Sequence, residues 1–226
     1  MAFGDALRAL AMKVVVTRAR DQAGPLVERL EALGHEVVSC PLIEIEPVDG
    51  GDPLDVGAYD WVVVTSPNGA ELLLERARGP LPRVAAIGPG TADALRRRGV
   101  EPDLVPAVST QEGLLADFPP TPGRVLVAAA EDARRLLVDE LAADFVSLYR
   151  TRLLAPALPD GDLVVLASSS AARALAALGV DVPAVSIGPQ TTRTAEAVGV
   201  RIVAEAKTHD LDGLVAAVEE ACSSRS

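Results

Sequence analysis

A phrase that occurs twice constrains this chain more than any other feature. Residues 84–100 read VAAIGPGTADALRRRGV, and residues 184–200 read AVSIGPQTTRTAEAVGV. From Ile87 to Val100 against Ile187 to Val200, six of fourteen positions are identical. Unrelated stretches of that length share about one, so the segments are copies of one unit. The duplication extends further. Asp60–Leu74 (DWVVVTSPNGAELLL) matches Asp162–Ala176 (DLVVLASSSAARALA), EGLL at 112–115 matches DGLV at 212–215, and Val14–Ala32 matches Val125–Ala143 with eight identities. The order along the chain is therefore A, B, C, D, A′, B′, C′, D′.

Each copy alternates short β-branched runs with amphipathic helical stretches. KVVVT (13–17), DWVVVTS (60–66), RVAAIG (83–88), GRVLVAAA (123–130), DLVVLASSS (162–170), PAVSIG (183–188) and RIVAEA (201–206) read as buried strands, and PDLVP (102–106) as a shorter one. The segments 24–34, 68–77, 90–99, 109–118, 132–142, 171–179, 191–199 and 210–221 read as helices. In the first of these, Leu26, Leu30 and Leu33 share the face expected to be buried. Such alternation calls for parallel sheets with helices on both faces. The expected fold class is α/β, with two doubly wound, flavodoxin-like parallel-sheet domains repeated within the chain.

Each repeat could fold alone, splitting the chain near residue 121, or unit A could join B′C′D′ while A′ joins BCD. The second is favoured. It predicts a discontinuous domain (13–38 plus 160–221), an inserted domain (52–144), and two extended crossings (39–51 and 145–159) pairing as a two-stranded antiparallel linker. Residues 1–12 read as a short helical extension.

Apolar residues make up 49 % of the 226-residue chain and aromatic residues only 3 %, so the core is aliphatic. The net charge of −11 disfavours nucleic acid, whose phosphates call for Lys and Arg. No run approaches the roughly 20 apolar residues of a membrane span, and the first twelve residues lack the pattern of a signal peptide. Cys40 and Cys222 have no metal-like spacing, and read as reduced thiols in a cytoplasmic protein. His35 and His209 have no partner at ligand spacing and read as structural, and no metal site is expected. Neither GxGxxG after the first strand nor GxxxxGK[ST] occurs.

What stands at the strand ends is small and hydroxylic: Thr17–Arg18, Thr65–Ser66–Pro67–Asn68, Gly88–Pro89–Gly90–Thr91, Ser109–Thr110, Ser168–Ser169–Ser170, Gly188–Pro189–Gln190–Thr191 and Lys207–Thr208. Helix capping alone accounts for such residues one at a time. Together, two opposed rims of helix N-termini would form a cleft suited to a ligand with several carboxylates or phosphates. Tyr149, one of only two tyrosines, lies in the second crossing. A phenol there could give a proton to a leaving hydroxyl, although a half-buried strand tyrosine explains it equally.

The ordered set VVVTR (14–18), VVVTSPNGAELL (62–73), AIGPGTADALRRRG (86–99), STQEGL (109–114), LYRT (148–151), LASSSAARAL (166–175) and SIGPQTTRTAEAVG (186–199) resembles uroporphyrinogen-III synthase, from about Lys13 to Ala221. The resemblance implies two α/β domains on a two-stranded linker. It also implies a lyase of haem, sirohaem and cobalamin synthesis, with neither metal nor organic cofactor; a cytoplasmic monomer is the default expectation. The substrate would be hydroxymethylbilane, a linear tetrapyrrole with eight carboxylates, received from hydroxymethylbilane synthase. It would be cyclised to uroporphyrinogen III with inversion of ring D and loss of water. Carried over by position, Tyr149 is the catalytic candidate. Thr17, Arg18, Ser66, Asn68, Thr91, Ser109, Thr110, Ser168, Ser169, Gly188 and Thr191 are candidates for binding substrate. The sequence departs from the family at 128–134, where AAAEDAR stands in place of an expected Arg or Gly and leaves Arg134 as the nearest base. The alternatives are a non-catalytic, synthase-like tetrapyrrole binder and a hinged small-anion binding protein.

Overall fold

The computed structural model describes residues 11–48 and 52–224. Most of the expected 1–12 extension and positions 49–51 of the first crossing therefore lie outside the described residues. Contacts divide the chain into two compact units, Met1–Glu44 with Arg152–Ser226, and Ile45–Thr151.

The discontinuous unit opens with β1 (Lys13–Val16), followed by α1 (Gly24–Ala32) and β2 (Glu36–Ser39). The continuous unit takes up β3 (Ile43–Pro47, which begins in the first unit), β4 (Leu54–Asp55), β5 (Trp61–Val64), α2 (Pro67–Arg76), β6 (Ala77–Arg78), β7 (Arg83–Ala86), α3 (Pro89–Arg97), α4 (Gln111–Asp117), β8 (Val125–Ala130), α5 (Leu136–Glu140) and β9 (Asp144–Leu153). The discontinuous unit is then completed by β10 (Leu163–Leu166), α6 (Ser169–Ala177), β11 (Ala184–Ser186), α7 (Pro189–Ala197), β12 (Ile202–Glu205) and α8 (Leu211–Ser223).

Its sheet runs β12-β11-β10-β1-β2, parallel throughout, with Val14 facing Leu163 on one side and Val37 on the other. On one side β1 thus pairs with a strand made about 150 residues later. One face packs Val14, Val16, Leu163, Val165 and Val185 beneath α1 and α8, while Val15, Val164 and Leu166 are fully buried as well. Burial on both faces is what unbroken apolar runs predict, and each such side chain contributes about 1.5–3 kcal/mol.

The continuous unit has the sheet β3-β9-β8-β5-β7, in which β9, β8, β5 and β7 run parallel. Its strands feed two cores: Val62, Val64, Leu126 and Ala128 point to one, and Trp61, Val63, Val125 and Val127 to the other. A small parallel pair, β4 with β6, lies apart from it. Near β3 and β9 the Val48 amide donates to the Leu148 carbonyl at 3.1 Å. In the discontinuous unit the Leu154 amide donates to the Leu42 carbonyl at 2.9 Å. Rising numbers meet falling ones, so these two stretches run antiparallel.

Three local expectations need correcting. Leu33 is 41 % exposed, because α1 ends before it and its side chain leaves the buried stripe. Residues 102–106 supply only a single bridge, Leu104 to Ala85, rather than a strand. The helix expected over 132–142 shrinks to the five residues of α5. The Glu131 amide is taken by the Tyr149 carbonyl at 2.8 Å, so the sheet ladder outruns the strand and delays the helix.

Among the described residues no helix is long and apolar enough to cross a membrane, and neither Cys40 nor Cys222 is in a disulfide.

Candidate active site

In the continuous unit the helices α2 and α3 begin just past the carboxyl ends of β5 and β7, and α4 begins after the Leu104 bridge. That is the edge at which doubly wound sheets bind ligands. Ser66 caps α2: its Oγ accepts the Gly69 amide at 2.9 Å, and Pro67 takes the first helical position. Ser66 Oγ also lies 2.8 Å from the Tyr149 hydroxyl, so two candidates 83 residues apart in sequence meet directly. A β-bulge makes the meeting possible. Ala129 pairs with Ser147, and the next residue, Ala130, with Tyr149, so β9 carries one extra residue here. Such an irregularity turns a side chain away from its regular direction.

Tyr149 is 6 % exposed. Burial pushes its phenol above the ordinary tyrosine value, the bond with Ser66 pulls it down, and the Asp132 charge pushes it up again. The phenol is accordingly protonated at neutral pH.

Elsewhere on this edge, Gly88 caps α3 with extended backbone, and a Cβ on it would stand 2.6 Å from Ser109 Oγ and 2.8 Å from Ser109 Cβ. Ser109 therefore lies on the start of α3. Thr110 caps α4 through the Gly113 amide at 3.0 Å. Asn68 is half-exposed in the first turn of α2, whereas Thr91 is packed at 3 % exposure. Arg134 is engaged by Glu112 at 2.6 Å, which turns this nearest base toward α4.

The discontinuous unit presents α6, α7 and α8 at the matching edge of its own sheet. Ser168 caps α6 through the Ala171 amide at 3.2 Å. Ser169 accepts from Thr194 Oγ1 at 3.0 Å and donates to the Gln190 carbonyl at 3.3 Å, joining the starts of α6 and α7. Gly188 caps α7, and a Cβ on it would meet the His209 ring at 2.6 Å. Thr191, like Thr91, is packed, at 4 % exposure. Arg18 is half-buried just past β1.

Thr17 lies inside the sheet. It is fully buried, and its hydroxyl donates to the Val165 carbonyl at 2.7 Å. It stitches β1 to β10.

Two features escaped the sequence reading. Asp210 caps α8 through the Gly213 amide at 2.7 Å, so one helix start in this unit carries a fixed anion. Ser186, Thr192 and Glu205 form a hydroxyl–carboxylate chain, with Ser186 Oγ and Thr192 Oγ1 at 2.5 Å. Only the D-x-x-G spacing could have signalled the first, and nothing in the sequence the second.

His35, Glu219 and Cys222 bring ligand-type atoms within 4.8 Å of one another. They do not fit a metal. His35 Nδ1 accepts the Met12 amide at 3.2 Å, which leaves the proton on Nε2, donated to Glu219 Oε1 at 2.7 Å. A metal would need the lone pair that this proton occupies. The cluster also stands at the entrance to β1 and β2, the amino edge of the sheet.

A family model described as Uroporphyrinogen-III synthase HemD matches residues 24–216. The chain belongs to the uroporphyrinogen-III synthase family. It is 28 % identical to the uroporphyrinogen-III synthase of Synechococcus elongatus, over 92 % of this chain and 94 % of that relative. To the uroporphyrinogen-III synthase of Chlorobaculum parvum it is 31 % identical, over 65 % of this chain and 66 % of the other. Among solved structures, a mutant uroporphyrinogen III synthase from the extremely thermophilic bacterium Thermus thermophilus superimposes with a TM-score of 0.60 at 18 % identity, covering 95 % of this chain and 100 % of that one. The synthetase from Helicobacter pylori gives 0.59 at 17 % identity, over 90 % and 96 %. At these identities the structural likeness speaks to the fold, and membership of the synthase family rests on the sequence matches.

Proposed function

We propose that this chain is a uroporphyrinogen-III synthase, a cyclising lyase that closes hydroxymethylbilane to uroporphyrinogen III with inversion of ring D and release of water. The observation that carries the reading, beyond family membership, is the buried Tyr149 phenol held at the start of α2.

The chemistry asks for little. Departure of the ring A hydroxyl as water leaves an azafulvenium cation. Ring D attacks through its substituted carbon to give a spiro intermediate, which fragments and recloses as the inverted isomer. Substrate and product differ by one water, so no redox partner is involved. The free substrate closes unaided to the uninverted isomer, so the decisive task is orientation. Within the continuous unit the starts of α2, α3 and α4 offer backbone N–H donors for substrate carboxylates, and within the discontinuous unit the starts of α6 and α7 are donors of the same kind. Asn68, Ser109, Thr110, Ser168, Ser169 and Arg18 flank those starts. Tyr149 supplies the proton that turns the leaving hydroxyl into water.

The wider arrangement proposed is a domain of 13–38 plus 160–221, a domain of 52–144, and a two-stranded linker of 39–51 and 145–159. The strand order of the discontinuous sheet, second-first-third-fourth-fifth, supports a flavodoxin-like reading of it. A cytoplasmic monomer receiving its unstable substrate from hydroxymethylbilane synthase fits this chemistry.

The test is a coupled assay with hydroxymethylbilane generated in situ, followed by oxidation and separation of the uroporphyrin isomers. A clear excess of type III over the protein-free control is the expected result. Type I alone, from folded protein, would overturn the reading in favour of a non-catalytic anion binder.

A further inference from the structure

Tyr149 does not stand by itself. Gly69 donates its amide hydrogen to Ser66 Oγ at 2.9 Å, and Ser66 Oγ meets Tyr149 Oη at 2.8 Å. The first bond has a fixed direction, because an amide can only donate. The second can run either way. If Tyr149 donates to Ser66, the phenolic hydrogen is consumed inside the protein and cannot reach a substrate. If Ser66 donates to Tyr149, the phenolic hydrogen is left to point elsewhere, and every lone pair and hydrogen of Ser66 used in the chain has one role.

We propose that Ser66 is a positioning residue for the reaction. It relays the start of α2 to the phenol, donating its hydroxyl hydrogen to Tyr149 Oη so that the Tyr149 proton is aimed at the leaving hydroxyl. The inference rests on the synthase reading above and deepens it. In the step itself, the carbon–oxygen bond to the ring A hydroxymethyl group breaks and its electron pair stays on oxygen. That oxygen takes the Tyr149 proton and departs as water. The phenolate left behind accepts the Ser66 hydrogen bond, in line with the partial positive charge of the helix start. When the closed macrocycle sheds a proton to recover its last pyrrole, the proton returns to the phenolate. Water is the only product besides the ring, and the enzyme ends as it began.

Three features of the fold point the same way. The bulge in β9 occurs at the residue pair that sets the direction of Tyr149. Gly69 packs tightly enough that a Cβ would stand 3.1 Å from Ser66 Oγ, so the amide and the hydroxyl are held together. The equivalent cap in the other unit, Ser168, accepts the Ala171 amide in the same geometry with no phenol attached, so a cap alone does not account for the arrangement.

The test has an arm that does not depend on turnover. The chain has two tyrosines, so the ultraviolet pH titration of the protein minus that of Tyr149→Phe isolates the Tyr149 phenol. Ser66→Ala is expected to move that titration to higher pH, and Ser66→Thr, which keeps both hydroxyl and cap, to return it toward the original. In the coupled assay Ser66→Ala is expected to lower kcat about tenfold with KM within about twofold, and to have no further effect in a Tyr149→Phe background. A thermal melt of each variant confirms that it is folded, and Ser66→Thr guards against a loss due to the missing cap. An unmoved titration in folded Ser66→Ala overturns the proposal whether or not the protein makes type III isomer. So does a kcat loss that multiplies with that of Tyr149→Phe. A wild-type protein giving only type I, with the titration shifted as expected, overturns the synthase reading while the coupling between Ser66 and Tyr149 stands.

Discussion

Ser66 and Ser168 occupy the same place in the two copies of the repeat, and their backbones are nearly superimposable in conformation, at φ −162°, ψ 156° and φ −163°, ψ 156°. Both cap a helix that follows a buried strand. Yet only Ser66 holds a second partner. In the continuous unit β9, which lies one strand beyond β8 from β5, runs on past its bulge and delivers Tyr149. In the discontinuous unit the corresponding strand β2 stops at Ser39 and is followed by buried Cys40. The helix starts diverge too, since Thr110 caps α4 where Asp210 caps α8. Duplication supplied two sheets and two sets of helix starts, and a phenol stands against the capping serine in one of them.

The comparison breaks most sharply at the phenol. Tyr149→Phe is expected to lower kcat about 10²-fold, at the low end for a lost proton donor because orientation carries so much of the reaction. Isomer-resolved turnover measures it. The wild-type pH profile should show the matching limb. The folded-state value of Tyr149 is raised and the protonated form is the donor, so turnover holds below that value and falls as pH rises through it. The limb should vanish in the Phe variant.

Next come the paired caps. Ser66→Ala is expected to slow kcat about tenfold. Ser168→Ala should leave the Tyr149 titration unmoved and cost about 1 kcal/mol of stability, as the loss of a cap does. An equal shift of that titration in both variants would erase the asymmetry described above.

Gly88 and Gly188 sharpen the comparison through stability alone. Gly88→Ala drives a Cβ into Ser109 close to its backbone, and about 1–3 kcal/mol of destabilisation is expected by chemical denaturation. Gly188→Ala meets the ring of His209, an exposed side chain that can swing aside, so it should cost less than Gly88→Ala.

The smallest effect has the opposite sign. The residue two past the end of α1, α3, α6 and α7 is a glycine of positive φ, but after α5 it is Ala142 at φ 47°. A Cβ is disfavoured in that conformation, so Ala142→Gly is expected to stabilise by about 1 kcal/mol. A shift of the melting temperature to a lower value would refute it.

Local regularities were legible in the sequence, and distances between far-apart residues were not. The repeat and the apolar runs announced parallel α/β sheets, and Gly and Pro marked most helix ends. Ser66 and Tyr149 were each readable as candidates, but their contact depends on a bulge opposite three alanines, and a run of alanines carries no signal for one. The placement of Thr17 was not legible either, because a hydroxyl at a strand end can turn sideways to a neighbouring carbonyl, as this one does toward Val165, and the sequence does not say which way. The helix start at 132 failed for a related reason. A competing hydrogen bond from Glu131 to a strand eighteen residues on is invisible to periodicity.

The position of β1 between β10 and β2 bears on how the protein is made. A ribosome releases this strand first, yet one of its two edges stays open until Leu163 has been synthesised. The stretch Ile45–Thr151, continuous in sequence, can collapse in the meantime, which reverses the usual amino-end-first order of domain folding. Three consecutive buried valines, Val14 to Val16, are left waiting in the nascent chain. Closing so long a loop is slow compared with local pairing, and that interval is when a chaperone would have something to hold.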